Sequence, residues 1–558
     1  MKKSNISITL LSLIFLPFFH LHSFNSNPPK LTIMIVIDQF SYNYINKLNR
    51  HLRHGLRYLL DNGVVYTNAF MPHGRPGTAP GHAALNTGTY AKNHGFIDNN
   101  WYQETGEKIA CDDDPSPDSL VISPTGTYDF GKSAHMLMTD GISDQCVLAS
   151  NPQSPFNAYS ISLKSRAAIA TASKLGKALW FDHHTGNVTS SKAYFKDGKL
   201  PEWVHNFNQI HNPKKQETIT WHRMYPYSPT AYNFFNTLDY RYALIKDSFI
   251  NRPLMTFDTE HMKNPFHIFE KTPHANKWIL DLAQKCIETH VSKKTKDRLL
   301  LWVCLSPLDK VAHRFGPQSL ESIDMIYHLD KQLQKFMQKI MKLVGKHQVL
   351  ITLTADHGVM PFPELVHETG LTNAQRIDEN EFINYINNYL TEKYNISNLI
   401  HACEGQELTL NREIMAQYTL KKQRALIEDL KYQILNHPGI KHVWDSHELS
   451  RTCTQPNTIE DNIKNQVFEG RSGQIIVQPY PYNLITRWDG GTSHKTPYSY
   501  DTHIPLIIFH PGKFERKYVR QRVSALQLAN TVAEILNVAK PSSSTAEILP
   551  ELFDVEYE

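Results

Sequence analysis

Four short runs of unbroken apolar residues constrain this chain more than any other feature. They are LTIMIVI at 31–37, LLLWVCLS at 299–306, QVLITLT at 348–354 and IPLIIFH at 504–510. A strand with one wet face alternates apolar and polar residues. A run without alternation has both faces covered, as central strands of a parallel sheet do. Between these runs, 42–61, 319–344 and 523–536 carry apolar residues at helical spacing. Strands alternating with helices predict an α/β layered sheet, in which ligands bind beyond the carboxyl ends of the strands.

The length of 558 residues is compatible with about three or four domains, or with one α/β domain that carries insertions. Two segments fit the strand–helix rhythm poorly, 101–297 and 363–479. Both are read as cap insertions in one catalytic domain spanning 27–558. Apolar residues make up 41% of the chain, enough for a sizeable core. The net charge of +4 and the lack of a long Lys/Arg block give no nucleic-acid footprint. At the N-terminus two lysines precede an apolar stretch at 6–19. That pattern predicts a signal peptide over 1–26 and export to the periplasm or medium, with an uncleaved anchor as the alternative. The stretch is shorter than the roughly 20 residues of a membrane span, so no stable membrane insertion is expected. The six cysteines contain no C-x-x-C pair, which excludes a zinc ribbon and a thioredoxin-like motif. Cys304 lies in an apolar run and reads as a buried free thiol, leaving at most two disulfides. The sequence carries no signal for oligomeric state.

Acidic and imidazole side chains follow the apolar runs directly. Asp38 ends the first, PLDKVAHRFG places Asp309 and His313 after the second, and TADHG places Asp356 and His357 after the third. His494 lies in GGTSHKT, shortly before the fourth. Carboxylates and imidazoles are good zinc ligands, and a pair of metals needs about this many. Spacing alone is not diagnostic. The D-x-x-x-H spacing recurs at Asp324 and His328, in a segment read as a surface helix, and an Asp-His pair recurs at Asp182 and His183. Placement at strand ends separates the first set from these.

Thr78, in RPGTAPGHAALNTGTY, follows turn residues and precedes a small apolar stretch. It is expected to cap a helix beginning near Pro80, where backbone N–H groups and the helix dipole favour negative charge. An ordinary cap accounts for a threonine there. A metal held by Asp38, Asp356 and His357 also makes it a nucleophile that needs no separate general base.

The segments VIDQF, GTAPGHAALNTGTY, SLKSRAA, PLDKVAHRFG, TADHG and GGTSHKTP, taken in this order, resemble the alkaline phosphatase superfamily. Within it the chain is most similar to bacterial periplasmic phosphomonoesterases with a threonine nucleophile. The resemblance implies a three-layer α/β/α sandwich with a mostly parallel central sheet and cap insertions. It also implies two Zn2+ ions and a covalent phosphothreonine. Carried over by position, one zinc falls to Asp309, His313 and His494. The other falls to Asp38, Asp356 and His357, with Thr78 beside it. Asn99, Lys164 and Arg166 are implied as substrate-binding and catalytic residues. Two cations and an amide suit the charge of a monoester dianion. Asn99 is preferred to Asn100 because it lies two residues before Trp101. The implied substrates are small phosphate monoesters. The alternatives are a phosphodiesterase or nucleotide pyrophosphatase of the same superfamily, and an inactive binding protein on the same fold. A sulfatase is disfavoured because no C-x-P-x-R or S-x-P-x-R segment is present.

Overall fold

The computed structural model describes residues 27–103, 105–225, 228–232, 253–259 and 264–553. Ten strands form the main sheet. They are β1 (Leu31–Ile37), β2 (Val64–Phe70), β3 (Phe156–Ser162), β4 (Lys177–Phe181), β5 (Val188–Thr189), β6 (Arg298–Leu305), β7 (Val349–Thr354), β8 (His503–Phe509), β9 (Lys517–Val519) and β10 (Val523–Ser524). The spatial order is β9-β2-β8-β7-β1-β6-β3-β4-β5, with β10 beside β2. The five neighbours β7, β1, β6, β3 and β4 run parallel. Every residue of β1 and β7 is buried, which is what their unbroken hydrophobicity requires.

At one end of the sheet β5 is antiparallel to β4, and a second departure lies at β8. β8 is antiparallel to β7, and β2 is antiparallel to β8, so β2 points the same way as β1. The carboxyl ends of β1, β2, β3, β6 and β7 therefore share one edge. β8 begins at that edge, so the loop just before it arrives there too. Continuous hydrophobicity marked β8 as central but carried no information about its direction.

Helices cover both faces. On one side α1 (Thr78–Thr87) and α2 (Ser165–Ala172) pack with Ile142–Leu148 and Gln527–Leu536. On the other side α3 (Pro307–Phe315) packs with Pro273–His290 and Leu320–Val344, and Leu320–Val344 also packs on Gly55–Asn62. The result is the expected α/β sandwich. The segment read as one helix over 42–61 is two, Tyr42–Leu48 and Gly55–Asn62. In 523–536 the helix is confined to Gln527–Leu536, because Val523–Ser524 pairs with β2.

The first insertion needs correction. The segment 101–297 contains β3, α2 and β4, which belong to the central sheet and its cover. β3 and β4 carry polar and aromatic residues (FNAYSIS, KALWF), so their sequence lacks the all-aliphatic signature. The same segment also holds Ile142–Leu148 and Pro273–His290, which cover the two faces of the sheet. The segment 363–479 holds a second, smaller sheet. Its four strands are Ile400–Glu404, Glu407–Leu410, Ile475–Pro479 and Ile440–Asp445. Helices Glu379–Tyr394 and Leu420–Leu435 close a core of its own around Phe382, Ile386, Leu430 and Val477.

All six cysteines are free, five of them buried and Cys453 exposed. Asp324 is not on a surface: it is fully buried and accepts hydrogen bonds from Trp221 Nε1, Tyr232 Oη and the Met224 N–H. No helix among the described residues is long and apolar enough to cross a membrane. The signal reading over 1–26 lies outside the described residues.

Candidate active site

Asp38 is the first residue beyond β1, and its N–H donates to Leu305 O of neighbouring β6. The chain then turns through Gln39 at φ 68°. That turn aims the Gln39 N–H at Asp356 Oδ1 (3.1 Å) and its Nε2 at Asp309 Oδ1 (3.0 Å), so one residue ties together three strand ends. Asp309 sits in the first turn of α3, and His313 lies one turn on with Nε2 3.1 Å from Asp309 Oδ1. His494 reaches the same edge on the loop that precedes β8. Its ring stacks on His357 with centroids 3.7 Å apart.

The histidines share one feature. His313 Nδ1 bonds Thr492 O at 2.7 Å, His494 Nδ1 bonds Pro76 O at 2.8 Å, and His357 Nδ1 bonds Gly358 O at 2.9 Å. A carbonyl can only accept, so each Nδ1 carries a proton and Nε2 is the nitrogen available to a metal. This is the outer-sphere arrangement that orients metal-binding imidazoles. Among the described residues, Asp38 Oδ1, Asp356 Oδ2 and His357 Nε2 are buried without hydrogen-bond partners, a cost that a cation removes. Two groups of ligand atoms lie within 4.8 Å of one another: Asp38 with Asp356 and His357, and Asp309 with His357 and His494. The first is the set expected from the sequence. In the second, His357 stands where His313 was expected, and His313 adjoins through Asp309.

The carboxylates crowd one another. Burial, then the charges of Asp309 and Asp356, push the Asp38 carboxyl up to about 8. Burial also works to raise Asp309, but the Lys164 ammonium and His313 outweigh it and hold that carboxyl well below its ordinary range. Burial drives His494 well below the usual imidazole value, and His357 and His313 add to the effect. Crowded buried carboxylates beside an imidazole held neutral, that of His494, are what a divalent cation needs. The donors present fit zinc.

Thr78 differs from expectation by one position. Gly77 is the N-cap, and Thr78 is the first residue of α1. Its hydroxyl is thereby released from capping. Lys164 Nζ donates to it at 3.2 Å, and also to Asp38 Oδ2 at 2.6 Å and Asp309 Oδ2 at 2.5 Å. Asn99 Oδ1 accepts the Ala79 N–H at 2.9 Å, which leaves the amide Nδ2 as its donor. Asn100 instead opens the strand Asn100–Tyr102. Arg166, at the second position of α2, is partly buried with Nε unpartnered. All of the site residues read from the sequence thus lie along this edge or border it.

Two participants went unread in the sequence. Gln39 is one. His82 is the other: its Nδ1 is 2.8 Å from Thr78 O and 3.2 Å from Asp356 Oδ2. The i, i+4 spacing of Thr78 and His82 was a signal, because it puts both on one face of α1. Outside the buried ligands the site opens into a cleft of about 920 Å³ whose lining includes His313, His494, Lys310 and Arg314.

The profile of the type I phosphodiesterase / nucleotide pyrophosphatase family matches residues 32–497. The chain is 27% identical to alkaline phosphatase PafA of Elizabethkingia meningoseptica, over 94% of each chain. It is 27% identical to a Myroides odoratus protein named calcium-transporting ATPase, over 97% of each. It is 28% identical to alkaline phosphatase PhoV of Synechococcus elongatus, over 94% of this chain and 93% of that one. The crystal structure of wild-type PafA superposes with a TM-score of 0.78 at 23% identity, covering 95% of this chain and all of that one, which shows the same fold.

Proposed function

Since the chain belongs to the type I phosphodiesterase / nucleotide pyrophosphatase family, within the alkaline phosphatase superfamily, we propose that it hydrolyses phosphate monoesters through a phosphothreonine formed on Thr78. Asp38, Asp356 and His357 would hold one zinc ion, and Asp309, His313 and His494 the other. When bound, such ions supply Lewis-acid charge that favours the ionised forms of a hydroxyl and of water. Thr78 Oγ1 forms the new bond to phosphorus as the bond to the leaving oxygen breaks. Water then cleaves the phosphothreonine, restoring the hydroxyl and releasing inorganic phosphate. The N-terminal end of α1 offers backbone N–H groups to the transferring group. Asn99 Nδ2, Lys164 and Arg166 neutralise its remaining oxygens. The relatives named alkaline phosphatase support this reading, and the apolar N-terminal stretch supports export.

The observation that carries the monoester reading is the Lys164 ammonium 3.2 Å from the Thr78 hydroxyl, with Arg166 two residues away. In a monoester both cations find charged oxygens, whereas in a diester one oxygen is esterified and uncharged. Each charge-assisted bond contributes roughly 1.5–3 kcal/mol, or about one to two powers of ten in rate. The test compares kcat/KM for an aryl phosphate monoester and the matching diester on zinc-loaded protein. Arg166→Ala is the first variant and Lys164→Ala/Arg166→Ala the second, since Lys164→Ala also leaves Asp38 and Asp309 without their cation. The variants should lose more on the monoester than on the diester. A wild-type enzyme that prefers the diester, or equal losses on both substrates, would reject the monoesterase reading in favour of the diesterase one.

A further inference from the structure

The recurring Asp-His pair at Asp182 and His183 follows the carboxyl end of β4, on the same edge of the sheet as the catalytic residues but to one side of them. Asp182 turns inward and accepts bonds from Tyr128 Oη, Thr185 Oγ1 and the His184 N–H. His183 turns the other way. Phe181, the last residue of β4, packs on Phe266 and Phe269, with ring centroids 5.7 Å apart in both cases. That packing sets the short helix Pro265–Phe269 against the end of β4. It brings the His267 ring parallel to His183, centroids 5.7 Å apart. Glu270, one residue past that helix, is 1% exposed. Its Oε2 takes Lys310 Nζ at 3.1 Å. Its Oε1 lies against His183 Nδ1.

We infer that His183, His267 and Glu270 form a third metal site, for a divalent ion of the zinc class, separate from the catalytic pair. Ligand atoms of all three lie within 4.8 Å of one another. Two imidazoles and a carboxylate are a recurrent zinc set that leaves a coordination position for water. The chemistry of Glu270 suits it. The carboxylate is buried, is matched by one ammonium on Oε2, and turns Oε1 toward His183. Lys310 occupies only Oε2, leaving Oε1 for the ion. Both histidines are exposed, so the ion exchanges with solvent.

The consequence is mechanical. The site joins the end of β4 to the corner between Pro265–Phe269 and Pro273–His290. Through Glu270 and Lys310 it also reaches α3, which carries Asp309 and His313. A bound ion therefore braces the catalytic helix from outside without contributing to the chemistry.

The experiment measures zinc per chain by elemental analysis in the full protein, equilibrated with micromolar zinc. Wild type should hold one more ion than His183→Ala/His267→Ala. Zinc should raise the Tm of wild type further than that of the variant. Aryl phosphate turnover should survive in the variant, so the difference of one ion does not depend on how many the catalytic centre holds. Should the double variant fold poorly, cobalt(II) titration of His267→Gln against wild type gives the same comparison by absorption. Equal stoichiometry in wild type and variant would overturn the proposal.

Discussion

Lys164 is the residue on which the local electrostatics turn. Its ammonium is buried among Asp38, Asp309 and the Thr78 hydroxyl. Burial works to lower its pKa, but the two carboxylates win and the group is held charged. Thr78 is poised beside it with no capping duty. We therefore expect Thr78→Ala to abolish the trapped phosphoenzyme and to lower kcat by several powers of ten, since nucleophile and alignment are lost together. Thr78→Ser should keep measurable turnover. The check is rapid-quench detection of phosphoprotein alongside steady-state rates. If Thr78→Ala turned over normally, Thr78 would have only a local packing role in the first turn. At this scale the sequence was legible where a residue type coincides with a strand end, as for Asp38, Asp309 and Asp356. It was opaque where the role depends on backbone direction. Gln39 reaches two carboxylates only because it adopts a positive φ. Asp324, polar in a helix that read as surface, is buried by partners about 100 residues away in sequence.

Among the elements, the backbone of α1 comes close to the segment that follows β7. A methyl at Gly81 would stand 2.5 Å from Asp356 O and 2.7 Å from Asp356 Cβ. Its glycine is therefore required by contact, not by φ. Gly81→Ala should push α1 away from the end of β7 and move Thr78 with it. Displacements near 1 Å cost about 10²-fold in rate. We expect a loss of that order, larger in kcat than in KM, in protein that still binds zinc. Unchanged kcat would mean that α1 shifts without moving its first turn. Strand existence was readable wherever hydrophobicity is continuous, because central burial leaves no other pattern. β3 and β4 escaped because their buried serines and aromatics satisfy themselves locally, Ser160 Oγ with Thr171 Oγ1 at 2.7 Å for instance. The antiparallel direction of β8 is a property of the connections and leaves no mark on its own seven residues.

The molecule as a whole is held together across its catalytic edge by buried polar ties. Arg75, three residues before Thr78, donates to Glu407 Oε1 of the 363–479 segment at 2.5 Å. Gln466 of the same segment takes the Arg75 N–H and donates to Arg75 O and Ile97 O. Both members of the ion pair are nearly inaccessible, at 2% and 6% side-chain exposure. Removing one partner of such a pair costs about 3–5 kcal/mol, because the other charge is left buried. Asp98 Oδ2, 3.7 Å from Arg75, should hold Glu407→Ala near the lower end. Denaturant titration of the zinc-loaded variant measures this, and a change under about 1 kcal/mol would show the tie to be incidental. The sheet also has a history written into its register. Leu31 pairs with Leu299 in β6, and Val64 pairs with Ile508 in β8. Contacts of such separation are slow to close. The neighbours of the first strand are not synthesised until the chain is more than half made, and His494 with β8 comes near the end. Thr78 is thus among the first residues of the site to emerge and among the last to be put in place. For most of its synthesis the chain is a set of apolar strands awaiting partners, the condition in which a polypeptide depends most on chaperoning.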